Sequence, residues 1–380
     1  MRIAFNATFW GQEGTGSGQY LHHLLDALHR VAPELELLPL RPAYNAAPTG
    51  LEDAPELLPT ALDGRSENLA KVWFEQRAFP RASHGRGADL AHVPYFAPPW
   101  CSRVPLVVTI HDLIPLLLPE YAGSRAVRLY MRLVSACVRR AEMVLTDSQA
   151  SARDIQRLLR IPDERLRIIY LAAEDAYRPV PPTERASVLS RLGLDVPYLL
   201  YLGGFDCRKN VIGLLQAFAQ ARGRISEVCL AIAGRLPASD SAFAPDPRPV
   251  AEALGLGESV RWLGWVDEDD KPALYSGATA FCFPSHYEGF GLPVLEAISC
   301  GTPAIVGGGS SLDEIAGPGG LVVSPDDLDA LAEAMVALCR DAALRQELAS
   351  AGLGHAAGFS WERTAQETLD AYDAVMARRA

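Results

Sequence analysis

No run of about 18 apolar residues, the length needed to cross a bilayer, occurs in the 380-residue chain. Met1-Arg2-Ile3-Ala4-Phe5-Asn6 reads as a short strand rather than the start of a signal peptide. Cys101, Cys137, Cys207, Cys229, Cys282, Cys300 and Cys339 are odd in number, scattered through mostly apolar segments and free of any CxxC pair. That pattern excludes a disulfide framework and predicts reduced core thiols in a cytoplasmic protein. A basic excess is also missing: the net charge of -11 argues against a general nucleic-acid binder, which needs a basic face for phosphates. His22-His23, His84, His92, His286 and His355 lack ligand spacing, so no metal site is expected. Asp267-Glu268-Asp269-Asp270 precedes Pro272-Ala273-Leu274-Tyr275 and reads as an acidic helix start rather than a metal motif.

The composition, 49% hydrophobic and 21% charged, is that of a globular chain, and its length fits two domains of about 150 to 200 residues. Short apolar runs alternate with helical patterns, the signature of parallel βαβ units. The first half places strands at Arg2 to Asn6, Leu35 to Leu40, Leu90 to Val93, Leu106 to Ile110, Met143 to Thr146 and Leu166 to Ile169. A second series runs Tyr198 to Leu202, Val228 to Ala233, Val260 to Leu263, Ala280 to Phe283, Ala304 to Val306 and Leu321 to Val323. The fold class is therefore α/β with two doubly wound sheets. Tyr177-Arg178-Pro179-Val180-Pro181-Pro182-Thr183 is the expected boundary, because consecutive prolines favour an extended linker. This gives domains at 1–178 and 184–358, then a helix over 360–380 with Ser360 as its N-cap.

Chemistry concentrates at the ends of these strands. In Glu288-Gly289-Phe290-Gly291-Leu292-Pro293-Val294-Leu295-Glu296, glycines let the backbone approach a ligand and Pro293 suits a first helical turn. The helix start attracts an anion, while Glu288 and Glu296 accept hydrogen bonds from separate hydroxylated groups, a set that fits a nucleotide sugar. Gly203-Gly204-Phe205-Asp206-Cys207-Arg208-Lys209-Asn210 follows another strand and puts two adjacent cations where a departing diphosphate needs them. Gly11-Gln12-Glu13-Gly14-Thr15-Gly16-Ser17-Gly18-Gln19-Tyr20 leads into a helix from about Tyr20 and lets amides of Gly16 to Gly18 meet a phosphate or sugar. It lacks the Gly-Lys-Ser/Thr ending of a Walker loop. His111-Asp112 follows the strand ending at Ile110, which predicts a side chain facing a ligand cleft rather than the core. Ser148 reads as a helix cap and Arg125 to Arg140 as an amphipathic helix with a solvated basic face, able to rest on an anionic surface.

Arg208-Lys209-Asn210, Leu263-Gly264-Trp265-Val266, Pro284-Ser285, Glu288-Gly289-Phe290-Gly291-Leu292-Pro293, Glu296-Ala297, Gly301-Thr302-Pro303 and Phe359-Ser360-Trp361 stand in an order that resembles the retaining glycosyltransferases of family 4. The resemblance covers nearly the whole chain, with Cys207 and Asp313 as small departures. It implies the GT-B fold: two Rossmann-like domains facing across a cleft, donor in the second, acceptor in the first, and a last helix crossing back to the first. It also implies Arg208 and Lys209 on the donor diphosphate, Glu288 on the transferred sugar, Glu296 on the ribose and amides of Phe290, Gly291 and Leu292 around the sugar phosphate. Trp262 to Val266, including Trp265 and Val266, would line the base, Gly204 the phosphates, and His111 the sugar's far hydroxyls. Gly16 and Gly18 would close over the phosphates or meet the acceptor.

Thr109-Ile110-His111-Asp112-Leu113-Ile114-Pro115 resembles a subgroup rich in mannosyltransferases of surface polysaccharide assembly, which makes GDP-mannose the favoured donor. The implied reaction is retaining, metal-independent transfer to a glycan or lipid-linked acceptor, without a cofactor, in the cytoplasm or at the inner membrane face. A double displacement would need two carboxylates about 5 Å apart across one bond, unlike two glutamates at opposite ends of a donor. The alternatives are a uridine-nucleotide-sugar transferase of the same fold, a related phosphorylase or epimerase, and a non-catalytic nucleotide-sugar-binding subunit.

Overall fold

The computed structural model describes residues 1–12, 14–45 and 55–379; Glu13 of the first glycine-rich loop lies outside them. The chain forms two compact units, Met1–Leu171 with Ser360–Ala380, and Ala172–Phe359. The division falls after Leu171, ahead of the proline-rich stretch expected to be the linker. The reason is packing: the Tyr177 ring lies 6.0 Å from that of Tyr275, its hydroxyl donates to Glu268 Oε2 at 3.2 Å and Val180 N–H donates to Ser276 Oγ at 3.0 Å.

Among the described residues, the sheet of the first unit holds β1 (Arg2–Asn6), β2 (Glu36–Pro42), β3 (Glu56–Leu58), β4 (Leu90–Val93), β5 (Leu106–Thr109), β6 (Met143–Thr146) and β7 (Leu166–Ile168), ordered β3-β2-β1-β4-β5-β6-β7. Every pair is parallel. Strands β4, β5 and β6 are wholly buried, as sheets covered on both faces require, and so read as unbroken apolar runs. Strand β3, which the sequence reading lacks, is too short to carry a period and pairs only with β2. The first helix runs Gly16–Val31, starting four residues before the expected Tyr20, because Thr15 caps it by accepting from Gly18 N–H. The helix Trp361–Ala377, capped by Ser360, packs on it: Trp361 stacks at 5.0 Å on His23, and Arg30 pairs with Glu362 at 2.9 Å.

The second unit holds β8 (Tyr198–Leu202), β9 (Cys229–Ala233), β10 (Val260–Gly264), β11 (Ala280–Phe283), β12 (Ala304–Gly307) and β13 (Gly320–Val323), ordered β10-β9-β8-β11-β12-β13 and again all parallel. Chain order reverses between β8 and β11, so the loops leaving their carboxyl ends diverge and open a crevice there, where open α/β sheets bind ligands. The helices Val211–Ala221 and Leu292–Ser299 follow those two loops.

Candidate active site

Parallel pairing brings the predicted residues of the second unit together. Phe281 of β11 lies opposite Leu200 of β8, so the loops after Leu202 and Phe283 emerge side by side. After β8 the chain forms a single tight turn over Cys207–Lys209, closed by Asn210 in the left-handed region at φ 55°. Arg208 Nη1 and Lys209 Nζ both bind Glu288 Oε1, at 2.6 and 2.8 Å. Arg208 also donates to the Tyr287 carbonyl at 2.6 Å, and the Lys209 ammonium lies 4.7 Å from the Phe283 ring centroid.

Only about a tenth of each of these three charged side chains is exposed, with values of 10%, 14% and 11%. Burial alone would raise the Glu288 carboxyl, but Lys209 and Arg208 outweigh it and hold it below its ordinary value. The result is one ionised carboxylate shared by two cations, with a second, Asp206, whose Oδ1 lies 3.5 Å from Arg208 Nε.

Ser311 fastens the loop from behind, donating to the carbonyls of Glu288 at 2.9 Å and Phe290 at 2.7 Å. Gly291 is the N-cap of Leu292–Ser299 at φ 106°, and a Cβ there would sit 2.5 Å from Leu312 Cδ2. The glycine is therefore required by the backbone turn as well as by access. The helix has no side-chain cap; Pro293 lacks an N–H and Val294 N–H is donated to the Gly291 carbonyl at 2.9 Å, which leaves the Leu292 amide of the first turn for an anion. Ser285 Oγ is buried with no hydrogen-bond partner in the same loop.

Glu296 lies inside that helix, 8% exposed, and accepts from the Tyr275 hydroxyl at 2.8 Å. Burial pushes its carboxyl up to about 7, against the opposing influence of Lys271 and the Tyr275 bond. Trp265, 51% exposed, and Val266 follow β10 and, with Gly204, line a cavity of about 220 Å³. Gly234 stands at φ 137° beside it, and a Cβ would lie 2.1 Å from the Gly203 carbonyl oxygen.

In the first unit, Thr109 of β5 pairs with Leu145 of β6, so His111 and Asp147, each two residues further on, meet. His111 Nδ1 lies 2.6 Å from Asp147 Oδ2, and the Tyr20 ring stands edge-on at 4.8 Å. Burial opposes the imidazolium, yet the charge and hydrogen bond of Asp147, with Asp112, hold the His111 pKa above its ordinary value. The His111 side chain is 20% exposed, its Nε2 is buried, and the Pro94 backbone also favours the imidazolium.

Behind it runs a buried chain: Tyr20 OH to Thr109 Oγ1 at 3.0 Å, Thr109 Oγ1 to His92 Nε2 at 2.8 Å, and His92 Nδ1 to Tyr372 OH at 2.7 Å. Burial lowers His92 to about 3, so it is a neutral core residue.

The two glycines of the first loop stand in different surroundings. Both lie in the first helical turn, and Gly18 spends its N–H on Thr15, with the Gln12 carbonyl oxygen 2.2 Å from where a Cβ would sit. Gly18 is thus accounted for by close backbone approach, whereas the equivalent space at Gly16 is open. Sequence reasoning missed Asp147, Tyr275 and Ser311. The position of Asp147 directly after an apolar strand, like that of His111, was the available signal.

Two family models match the chain: Glycosyltransferase Family 4 over residues 14–175 and Glycosyl transferases group 1 over residues 186–354. The O-antigen chain mannosyltransferase B of Escherichia coli is 35% identical over 272 residues, covering 70% of this chain and 69% of that protein. The serotype-specific mannosyltransferase WbdA of Escherichia coli is 29% identical over 280 residues, covering 71% of this chain and 33% of that longer protein. A sucrose-phosphate synthase from Thermosynechococcus elongatus shares the fold with a TM-score of 0.80 at 24% identity over 100% of both chains. With two Rossmann-like parallel-sheet domains and relatives of this similarity, the chain belongs to the family 4 glycosyltransferases and is a glycosyltransferase of the GT-B fold.

Proposed function

We propose that the protein transfers mannose from GDP-mannose, with retention and without a metal, to a glycan or lipid-linked saccharide in surface polysaccharide assembly. The observation that carries this is the pair of nearly buried cations, Arg208 and Lys209, converging on one oxygen of Glu288 at the switch point of the second sheet. A nucleoside diphosphate placed there meets charge in the position a metal ion otherwise fills. The names of the mannosyltransferase relatives support mannose as the sugar.

Glu288 orients both cations and offers its carboxylate to the sugar, while Glu296 takes the ribose hydroxyls and the amides from Phe290 to Leu292, with Gly204, take the phosphates. Trp265 and Val266 take the base. In the first unit, which binds the acceptor, the partly exposed His111 imidazole meets a sugar hydroxyl and Gly16 leaves room for a ligand at the helix start. The bond between the anomeric carbon and the β-phosphate oxygen breaks, and the acceptor oxygen bonds to that carbon on the same face. The acceptor proton passes to the departing phosphate oxygen. Arg208 and Lys209 stabilise the charge that develops there. Retention by this route is supported by the engagement of both carboxylates, Glu288 with two cations and Glu296 with Tyr275, which leaves neither placed as a nucleophile.

Contact with the anionic inner face of a membrane is supported by the helix Arg125–Val138, whose Arg128 and Arg132, with Arg139 just beyond its end, surround a cavity of about 440 Å³ walled by Pro115, Leu116 and Met131.

The test is sugar release and transfer across a panel of nucleotide sugars, with and without chelator. GDP-mannose turnover insensitive to chelator is expected, falling by about 10²–10³ for each cation removed in Arg208→Ala and Lys209→Ala. Near-normal turnover in the double variant rejects the site, and a preference for uridine sugars rejects the donor.

A further inference from the structure

The cavity beside β9 and β10 holds a charged group that the reading above leaves without a task. Arg235 follows Gly234 at the end of β9, and its guanidinium carbon lies 4.7 Å from the centroid of the Trp265 ring. Lys271 reaches the same ring at 5.9 Å but is neutralised by Glu268. Arg235 has no carboxylate partner among the described residues, unlike Arg191, Arg224 and Arg248 elsewhere on this unit, which each pair with one.

The backbone fixes where Arg235 starts. Gly234 N–H donates to the Gly264 carbonyl at 2.7 Å and Gly203 N–H to the Ala233 carbonyl at 3.1 Å, locking three strand ends together at the cavity floor. The half-exposed Trp265 face then steadies a guanidinium that would otherwise sample solvent.

We propose that Arg235 reads the donor's base, donating two parallel N–H bonds to O6 and N7 of guanine. The inference rests on GDP-mannose being the donor and names the residue that selects it. Guanine carries two adjacent acceptors on one edge, which a planar fork matches. Uracil offers O4 beside a ring N–H donor, and adenine places an amino donor next to N7, so each satisfies one arm of the fork and opposes the other. An ammonium such as Lys271 is a point charge and cannot make this distinction.

Calorimetric binding of GDP, inosine diphosphate, 7-deaza-GDP and UDP to the full chain, the Arg235→Ala variant and the Arg235→Lys variant tests it. Inosine diphosphate keeps O6 and N7 but lacks the 2-amino group; 7-deaza-GDP lacks only the N7 acceptor. The wild type is expected to bind GDP and inosine diphosphate alike and the other two roughly tenfold or more weakly. Both variants are expected to bind all four within a few-fold of one another, Arg235→Lys included because it keeps the charge and loses the fork. A guanine preference that survives Arg235→Ala, or a marked loss with inosine diphosphate, overturns the assignment and leaves the GDP-mannose reading standing. A wild type that prefers UDP overturns the donor reading itself.

Discussion

Replacing Glu296 with glutamine should stabilise the protein at alkaline pH and leave it nearly unchanged at acid pH. The side chain is 8% exposed, and its carboxyl ionises near 7 in the folded protein, against an ordinary value of 4.5, chiefly because burial disfavours the charge. Below 4.5 the group is protonated folded or unfolded and costs nothing. Between 4.5 and 7 the unfolded chain releases the proton and the folded one keeps it, so stability falls as pH rises, by roughly 3 kcal/mol across the interval. Above 7 the full penalty remains.

Glutamine keeps an oxygen for the Tyr275 hydroxyl and removes the charge, so the penalty disappears. For a unit of this size that is a gain of roughly 6–12 °C in Tm at pH 8 over the wild type, and about a quarter of that at pH 5. Differential scanning fluorimetry at the two pH values reads the effect directly. The companion assay is GDP-mannose binding, whose phosphates do not titrate in this range: under the proposed ribose contact the hydroxyls favour the ionised carboxylate, so wild-type affinity should rise from pH 6 to pH 8 and the variant's should not. Equal Tm differences at both pH values, or a loss at pH 8, refute the account of a buried, functionally retained charge.

Asp147→Asn leaves only Asp112 and the Pro94 carbonyl to oppose burial at His111, so its imidazole should titrate lower than in the wild type, as NMR of the ring protons would show. Because the folded pKa is raised, the stability this pair supplies is present below about 6.5 and fades as pH rises through the folded value, so the variant should lose more at pH 6 than at pH 9. Gly291→Ala forces a side chain into φ 106° against Leu312 and should cost about 1–3 kcal/mol, with Leu312→Ala restoring part of it in thermal melts. Tyr372→Phe deprives the fully buried His92 of a partner and should cost about 1–3 kcal/mol by urea titration, with an unchanged midpoint counting against the buried chain.

The strands were legible because parallel sheets buried on both faces need unbroken apolar runs, and Leu90–Val93, Met143–Thr146, Tyr198–Leu202 and Ala280–Phe283 are such runs with sharp ends. Arg208, Lys209 and Glu288 could be picked out because each follows a strand, and knowing that β8 and β11 are neighbours turns that list into a cluster. Partners were less visible. Asp147 meets His111 only once β5 and β6 are known to be adjacent and in register, and Tyr275 reaches Glu296 from a different helix. The proline-rich stretch permits an extended linker but says nothing about the Tyr177 ring, which packs against Tyr275 of the second unit. At Gly18 the absence of a side chain answers a backbone neighbour, the Gln12 carbonyl, which a glycine pattern in sequence does not distinguish from a ligand.

The first unit is assembled from two stretches separated by the whole of the second. During synthesis, Met1–Leu171 therefore leaves the ribosome before the helix that supplies Trp361 to His23 and the Tyr372 hydroxyl to His92. Ala172–Phe359 is continuous and can fold as soon as it emerges, so the unit begun first is completed last. Until then, the apolar face of Gly16–Val31 stands uncovered and a core imidazole lacks its partner. A fragment ending at Leu171 would keep every strand of its sheet and still be a candidate for chaperone capture and aggregation.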